Sequence, residues 1–274
     1  MERLEAALEK AREKRREAGI DDKAILGPES RVSTPGSSWS SLSEIKLPTR
    51  VARNNRITAI FGGALSGPYD MLRSRALHNM KEHGWKRLAI TSPTVGCGKT
   101  TVAANIALSF ARQKDLKVML LDFDLRRPAL HKVFSHRTPH SLSDVIEGTV
   151  AAADHFVRYG DNLIVGLNAK AARNPSELLQ SQRTKDFLTK VETTYKPDLM
   201  IFDMPPMLVS DDNVGFMANV DCGLLIGAAD NTTATQLDLC EKELSELTNV
   251  LGVVLNKCRY SDSATGYDYE YEYY

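Results

Sequence analysis

The sequence predicts an α/β protein with a doubly wound, mainly parallel sheet flanked by helices. Six short apolar runs lack an alternation of polar and apolar residues, which is typical of parallel strands buried on both faces. Segments with helical periodicity separate most of these runs, as in repeated strand–helix units. A glycine-rich loop lies between the first run and the helix that follows it. These three observations indicate one open sheet with right-handed crossovers.

The first element is a predicted charged helix over residues 1–20. Leu4, Leu8 and Ala11 recur on one face, but this apolar face is thin, so the helix needs a partner to be stable. Residues 21–55 are rich in serine and proline. This composition predicts a linker with a few docking side chains.

Residues 56–259 are predicted to hold the sheet domain. It opens with a helix over 68–82, where Tyr69, Leu72 and Ala76 share a face. The predicted strands span residues 87–91, 117–123, 162–167, 198–203, 221–228 and 250–256. The predicted helices between them span residues 99–113, 141–147, 175–180, 182–194 and 233–248.

Composition narrows the class of protein. The 274 residues carry 35 basic and 35 acidic side chains, so bulk charge favours neither nucleic-acid binding nor general membrane attraction. The four cysteines are widely spaced, which favours a reducing compartment over a disulfide framework. The charged start is unlike a signal peptide, and each apolar run is far shorter than the ~20 residues that span a bilayer. We therefore expect a cytoplasmic chain without nucleic-acid partners.

The glycine-rich loop, SPTVGCGKTT, has the strand–loop–helix context of a phosphate loop. Glycines allow backbone N–H groups to turn toward a phosphate, the lysine would reach the β- and γ-phosphates, and the first threonine of the Thr-Thr pair would bind Mg²⁺. Pro93 occupies the place of the usual first glycine. The predicted nucleotide-binding residues are Thr94, Val95, Gly96, Cys97, Gly98, Lys99, Thr100 and Thr101.

Three aspartates end apolar strands of the same predicted sheet. Asp122 and Asp124 are two residues apart, a spacing that places their carboxylates on one side of an extended chain. Asp203 ends another strand. Each aspartate alone is equally well explained as a strand end or a helix cap, but three beside a phosphate loop predict a nucleotide site with a metal ion.

The segments SPTVGCGKTT, LLDFDLRRP and FDMPP resemble the bacterial tyrosine kinases of capsule and exopolysaccharide export. The resemblance covers residues 56–274 and implies a P-loop fold of the partition-ATPase type. It also implies an ATP-dependent protein-tyrosine kinase that uses Mg²⁺ and phosphorylates itself.

The resemblance implies a role for each matching residue. Lys99 and Thr100 would hold phosphate and Mg²⁺, and Asp124 and Asp203 would hold Mg²⁺ directly or through water. Asp122 would accept the proton of the acceptor tyrosine, whose hydroxyl is otherwise a poor nucleophile near pH 7. Asn256 matches a position that contacts the base, although a strand-end cap explains it as well.

Six of the nine tyrosines lie in the last fifteen residues, among aspartates and glutamates. Composition alone predicts a disordered polar tail over 260–274. Beside a kinase site the same tail becomes the expected substrate, phosphorylated mainly between molecules. The expected phosphoacceptors are Tyr267, Tyr269, Tyr271, Tyr273 and Tyr274.

The resemblance also implies partners. These are further copies of the chain, a membrane-spanning regulator of polysaccharide chain length, and a tyrosine phosphatase. The regulator would hold the chain at the inner face of the cell membrane. With no apolar span of its own, the chain resembles the type of kinase that is separate from its regulator.

Three positions depart from the family pattern. The stretch Gly67–Arg73 keeps only the last arginine of the usual self-association motif, so assembly through that motif is in question. Cys97 stands where an acidic residue is usual, and a thiol at a helix start tends toward thiolate. Met204 replaces a common threonine, which we expect to be neutral.

Two other readings remain. One is a partition-ATPase-like nucleotide switch, although Thr94 stands where such proteins carry a second lysine. The other is a non-catalytic, nucleotide-bound scaffold for the membrane partner.

Overall fold

The computed structural model describes residues 39–258, and these form one eight-stranded sheet. Its order is β1-β4-β5-β3-β6-β2-β7-β8, and every pair of neighbours is parallel except β4 and β5. The strands are β1 (Ser43–Glu44), β2 (Arg87–Thr91), β3 (Val118–Asp122), β4 (Val157–Tyr159), β5 (Leu163–Gly166), β6 (Leu199–Asp203), β7 (Cys222–Ala228) and β8 (Asn249–Asn256). The predicted doubly wound, mainly parallel α/β fold is confirmed.

Helices cover both faces of the sheet. They are α1 (Thr49–Asn54), α2 (Gly63–His83), α3 (Lys99–Ala111), α4 (Leu130–Val133), α5 (Leu142–Ile146), α6 (Ala152–His155), α7 (Pro175–Gln180), α8 (Gln182–Tyr195), α9 (Asp212–Phe216) and α10 (Ala234–Leu247), with a 3₁₀ turn at Met217–Asn219. None of these helices is long and apolar enough to cross a membrane.

The core lies in two layers, one on each face of the sheet. Along β3, Val118 and Leu120 pack into one layer, and Met119 and Leu121 pack into the other. All four side chains are fully buried. Because both faces of the strand are covered, its sequence is an unbroken apolar run, which is why the sequence pattern located it.

All six predicted strands are present, each within two residues of its predicted bounds. The pattern missed β1, β4 and the short helices α1, α4, α6 and α9. β4 reads Val-Arg-Tyr and is only three residues long, so it offers no apolar run to detect. It is also the strand that pairs antiparallel.

The described part of the predicted linker over 21–55, residues 39–55, is folded against the sheet domain. This segment contains β1 and α1, and its apolar side chains Trp39, Leu42 and Ile45 are buried in the core. The Trp39 indole N–H donates to the Tyr195 carbonyl at 2.8 Å. Serine and proline dominate the composition, but a few apolar anchors suffice to dock the chain. Residues 1–38 and 259–274, with the predicted helix and tail, lie outside the described residues.

The predicted helix over 68–82 is present and begins five residues earlier, at Gly63. Within it, Asp70 accepts hydrogen bonds from Arg73 of the same helix and from Ser109 and Arg112 at the end of α3. The Gly67–Arg73 stretch thus joins α2 to α3 inside the chain.

Candidate active site

The candidate site lies at the carboxyl edge of the sheet, where β3, β6 and β2 are neighbours. Asp122 and Asp203, the last residues of β3 and β6, are register partners, and the glycine-rich loop follows β2. A cleft of about 500 Å³ opens beside this loop. This is the edge at which doubly wound folds bind their ligands.

The glycine-rich loop has the backbone of a phosphate loop. Gly96 and Gly98 have φ values of 87° and 92°, in the left-handed region that favours glycine. Gly98 immediately precedes α3, whose free N-terminal N–H groups and dipole favour an anion. A Cβ added at Gly98 would lie 2.3 Å from Asn256 Nδ2, so glycine is required there for space as well.

Lys99 is the first residue of α3 and is buried against carboxylates. Its Nζ donates to Asp124 Oδ2 at 2.9 Å and to Asp203 Oδ1 at 3.3 Å. Burial opposes its charge, but Asp203 and Asp124 outweigh that cost and raise the pKa of Lys99. The ammonium group is therefore charged and held at the edge of the cleft.

Asp122 and Asp203 have raised pKa values. Asp122 and Asp203 are fully buried. Burial and the neighbouring charge of Asp203 raise the pKa of Asp122 well above its ordinary value. Burial likewise raises the pKa of Asp203, with Lys99 opposing. Buried carboxylates that share one cation beside a cleft are typical of functional sites.

The donor set fits Mg²⁺. The Thr100 hydroxyl, Asp124 and Asp203 offer oxygen ligands, and Asp203 Oδ2 is buried with no hydrogen-bond partner among residues 39–258. Within those residues no group of three or more His, Cys, Asp or Glu side chains is placed to hold a metal alone. One or two carboxylates completed by phosphate oxygens and water is the usual way that proteins hold Mg²⁺ at a nucleotide.

Asp122 is held by the segment that follows β3. Its Oδ2 accepts from the backbone N–H groups of Ala129 and Leu130, at 3.2 and 3.1 Å. Its Oδ1 is buried without a hydrogen-bond partner in the described part of the chain. One carboxylate oxygen is thus fixed by the backbone, and the other is available to a further donor.

Cys97 and Asn256 have structural contacts within the site. The Asn256 amide donates to the Cys97 carbonyl at 2.9 Å, which joins the end of β8 to the loop. The Cys97 thiol is buried and lies 3.5 Å from the Thr232 hydroxyl. Burial raises its pKa, but hydrogen bonds from Thr232 and Thr94 outweigh burial, and the net pKa of Cys97 is lowered.

The structure brings most of the predicted site residues together. Eight of them line the cleft: Val95, Gly96, Gly98, Lys99, Thr100, Thr101, Asp124 and Asn256. Asp122 and Asp203 do not line the cleft but are buried near Lys99, whose charge both stabilise. Thr94 and Cys97 face each other within the loop, 3.6 Å apart. The predicted phosphoacceptor tyrosines lie outside the described residues.

Sequence reasoning missed several residues that line the cleft, among them Arg56, Tyr69, Arg127 and Lys257. Arg127 belongs to the quoted segment LLDFDLRRP, so the motif itself could have pointed to it. Arg56 lies in no motif, and only the folded path of the chain brings it to the site.

The two arginines of LLDFDLRRP have different environments. Arg126 donates to Asp212 at 2.7 Å and to the Ser176 hydroxyl at 2.7 Å. These contacts connect the loop after β3 to α7 and α9. Arg127 is exposed at the cleft, and its side chain makes no hydrogen bond within residues 39–258, while its backbone N–H donates to Asp124 Oδ1 at 3.0 Å.

Comparison with known proteins agrees with this geometry. Residues 88–273 match the family described as the CobQ/CobB/MinD/ParA nucleotide binding domain. Tyrosine-protein kinase etk of Escherichia coli K12 is 34% identical over 62% of this chain and 23% of its own length. Tyrosine-protein kinase YwqD of Bacillus subtilis is 30% identical over 76% of this chain and 86% of its own length. This chain therefore spans about a quarter of Etk but most of YwqD.

A solved structure supports the same assignment. The kinase domain of Escherichia coli tyrosine kinase ETK is 28% identical and superposes with a TM-score of 0.64, over 77% of this chain and 81% of that domain. The resemblance found in the sequence motifs is confirmed. The chain belongs to the CobQ/CobB/MinD/ParA nucleotide-binding family and, within it, to the bacterial tyrosine kinases.

Proposed function

We propose that this chain is an ATP-dependent protein-tyrosine autokinase that acts in capsule or exopolysaccharide synthesis. The observation that carries the proposal is the buried cluster of Lys99 with Asp124 and Asp203 beside a phosphate loop. Phosphoryl transfer is catalysed mainly by positioning and by stabilising charge, and this cluster supplies a fixed cation and metal-binding carboxylates.

ATP would bind with its phosphates on the loop Thr94–Thr101 and its base near Asn256. Mg²⁺ held by Thr100, Asp124 and Asp203 would neutralise charge on the transferred phosphoryl group. Lys99 is already within reach of the loop and of both carboxylates. Its charge would then be shared with the phosphates.

Asp122 is our choice for the group that accepts the tyrosyl proton. Its raised pKa brings it closer to neutral pH, where a general base is most effective. Its Oδ1 has no hydrogen-bond partner among residues 39–258 and could accept a hydrogen bond from the tyrosine hydroxyl. Asp122 is fully buried and does not line the cleft, so the side chains around it must rearrange before an acceptor tyrosine can reach it.

The acceptors in this proposal are Tyr267, Tyr269, Tyr271, Tyr273 and Tyr274. Their clustering at one end of the chain supports the assignment, as does their mixture with acidic residues in a segment unsuited to a core. Transfer would occur mainly between molecules, in an assembly of several copies.

Membership of the family supports the cellular setting of this proposal. The chain would act at the inner face of the cell membrane through a membrane-spanning regulator of polysaccharide chain length. A tyrosine phosphatase would reverse the modification. Phosphorylation by the kinase and dephosphorylation by the phosphatase would together control the chain length and export of the polysaccharide.

The experiment incubates the full chain with ATP and Mg²⁺ and measures phosphotyrosine. We expect Lys99→Met to lower the rate by about 100-fold or more, since it removes a charge-stabilising donor. Asp122→Asn tests the proton acceptor, and replacing the five tail tyrosines by phenylalanine tests the acceptor segment. Circular dichroism checks that Lys99→Met folds, because Lys99 neutralises buried carboxylates.

Two outcomes contradict the proposal. Wild type without Lys99-dependent phosphotyrosine, even with its membrane partner supplied, excludes an autokinase. ATP hydrolysis or nucleotide-dependent association without phosphotyrosine would instead favour the partition-ATPase-like switch or the scaffold.

A further inference from the structure

Arg56 and Arg127 are two exposed cations on the wall of the cleft. Neither side chain has a carboxylate within 4.0 Å or a side-chain hydrogen bond among residues 39–258. The adjacent Arg126, by contrast, forms an ion pair with Asp212 and a hydrogen bond with Ser176. We infer that Arg56 and Arg127 form a subsite for carboxylates that flank the acceptor tyrosine, so that the kinase selects acidic tyrosine segments. This inference rests on the proposed function.

Arg56 is held in place by its neighbours. Its φ of 57° is in the left-handed region, which is strained for a residue with a side chain and persists where the surroundings impose it. The buried Asn105 amide donates to the Arg56 carbonyl at 3.0 Å, and its Oδ1 accepts from the N–H groups of Thr58 and Ala59. The backbone at Arg56 is therefore fixed beside the cleft.

Arg56 and Arg127 belong to the same side of the cleft. Arg127 lies in the segment that joins β3 to α4. Asn55, next to Arg56, donates its amide N–H groups to the carbonyls of Lys132 and Val133 in α4, at 3.1 and 2.8 Å. Helix α4 thus follows Arg127 in the chain and is hydrogen-bonded to the residue next to Arg56, so it holds the two segments together.

That side of the cleft is the one on which an acceptor must arrive. Asp122, the proposed proton acceptor, ends β3, which lies two strands from β2 on one side of the phosphate loop. Lys257 follows β8, two strands from β2 on the other side, and its side chain packs near Gly98. We therefore assign Lys257 to the nucleotide and the two arginines to the acceptor.

The expected ligand is a peptide in which carboxylates alternate with tyrosines. Arginine binds carboxylates through paired hydrogen bonds, which gives both strength and geometric selectivity. Successive residues of an extended chain are ~3.3 Å apart and their side chains point to opposite faces, so a tyrosine that enters the site leaves the carboxylates on either side of it directed toward the walls of the cleft. The tail of a second copy has this composition, with Asp268, Glu270 and Glu272 between its tyrosines.

The test compares two synthetic peptides as acceptors. One is TGYDYEYEYY, residues 265–274, and the other is its amide counterpart TGYNYQYQYY. The enzyme is the full chain with its five acceptor tyrosines replaced by phenylalanine, so that only the peptide is labelled. We expect kcat/KM to favour the acidic peptide by about 10-fold or more, as for a charge-assisted hydrogen bond. In the Arg56→Gln, Arg127→Gln double variant this ratio should fall toward 1.

The matched control is Lys190→Gln, an exposed lysine on α8 without an ion pair in the described chain, which should keep the wild-type ratio. An Arg127→Glu variant should gain activity toward TGYKYKYKYY relative to wild type. If the double variant raises KM for ATP and leaves the peptide ratio unchanged, the arginines serve the nucleotide and the inference is overturned. Equal use of acidic and amide peptides by the parent enzyme also overturns it.

A binding measurement separates this inference from the proposed function. Fluorescence anisotropy of the two labelled peptides on the full chain needs no turnover. Tighter binding of the acidic peptide that is lost in the double variant supports the subsite even if no phosphotyrosine forms. Equal affinities in the presence of normal autophosphorylation reject the subsite and leave the kinase assignment standing.

Discussion

His155 is the described histidine whose pKa is most strongly shifted. It is buried at the end of α6, and burial, with a smaller effect of His140, lowers its pKa to about 4. The unfolded chain has an ordinary histidine pKa near 6.5, so between pH 6.5 and 4 only the unfolded state takes up the proton. We therefore expect acidification through this range to lower the free energy of unfolding, by up to about 3 kcal/mol from this group.

Urea unfolding of wild type and His155→Leu at pH 7, 5.5 and 4.5 measures this effect. The variant lacks the titrating ring but keeps an apolar side chain, so its stability should fall less on acidification. Carboxylates titrate in both proteins, so their effects cancel in the difference between the two free energies of unfolding. Parallel stability curves would show that His155 does not respond to pH.

The main site residues were predictable because each belongs to a local pattern. Lys99 follows the loop glycines directly, and Asp122 and Asp203 end recognisable apolar strands. Arg56 was not predictable, because its position depends on Asn105, 49 residues away. It also depends on the packing of residues 39–55, which their serine- and proline-rich composition did not indicate. The pairing of Arg126 with Asp212 depends in the same way on the tertiary fold.

At the scale of elements, α2 and α3 are joined by Asp70. Its carboxylate accepts from Ser109 at 2.6 Å and from Arg112 at 2.8 Å. Burial disfavours the charge, but the hydrogen bonds from Ser109, Ser66 and Arg112 outweigh it and lower the pKa of Asp70. We expect Asp70→Ala to lower the free energy of unfolding by about 2 kcal/mol, because it removes charge-assisted hydrogen bonds.

Glu82→Ala is the matched control for this prediction. Glu82 is exposed near the end of the same helix and makes no ion pair within the described chain, so its removal should change stability by less than about 0.5 kcal/mol. Asp70→Asn removes the negative charge but keeps the size of the side chain, so its free energy of unfolding separates these two contributions. Chemical denaturation that shows equal stability for Asp70→Ala and Glu82→Ala would contradict a helix-joining role.

Every element that the sequence pattern missed has six residues or fewer, for a physical reason. Strand β7 is buried at all seven of its positions. Because each buried position favours an apolar residue, the sequence of such a strand is a clear apolar run. Helices such as α4 and α6 have four residues, about one turn, which is too short for helical periodicity to appear. Contacts with the rest of the fold stabilise them.

At the scale of the whole molecule, the folded unit extends further toward the N-terminus than composition indicated. We expect a chain that starts at residue 56 to be less stable than one that starts at residue 39. It loses three large buried side chains, Trp39, Leu42 and Ile45. Each contributes about 1.5–3 kcal/mol, so the loss of at least about 5 kcal/mol approaches the whole stability of an ordinary domain.

Thermal unfolding of the two chains tests this prediction. Trp39→Ala in the full chain provides a second measurement if the shorter chain fails to fold, with an expected loss of about 3–5 kcal/mol. Trp39 also lies under the Lys117 ammonium, 5.4 Å from the ring centroid. Equal melting temperatures for all three proteins would mean that residues 39–55 contribute nothing to the domain.

The contact between Asn256 and the phosphate loop has a thermodynamic consequence. Asn256 bonds to the Cys97 carbonyl and packs against Gly98, and only three residues separate it from Tyr260, where the tyrosine-bearing segment begins. A ligand that shifts the loop therefore also acts on Asn256 and on the end of β8. Linkage is reciprocal, so in the proposed transfer between molecules a neighbour whose binding shifts Asn256 changes the affinity for nucleotide by the same free energy.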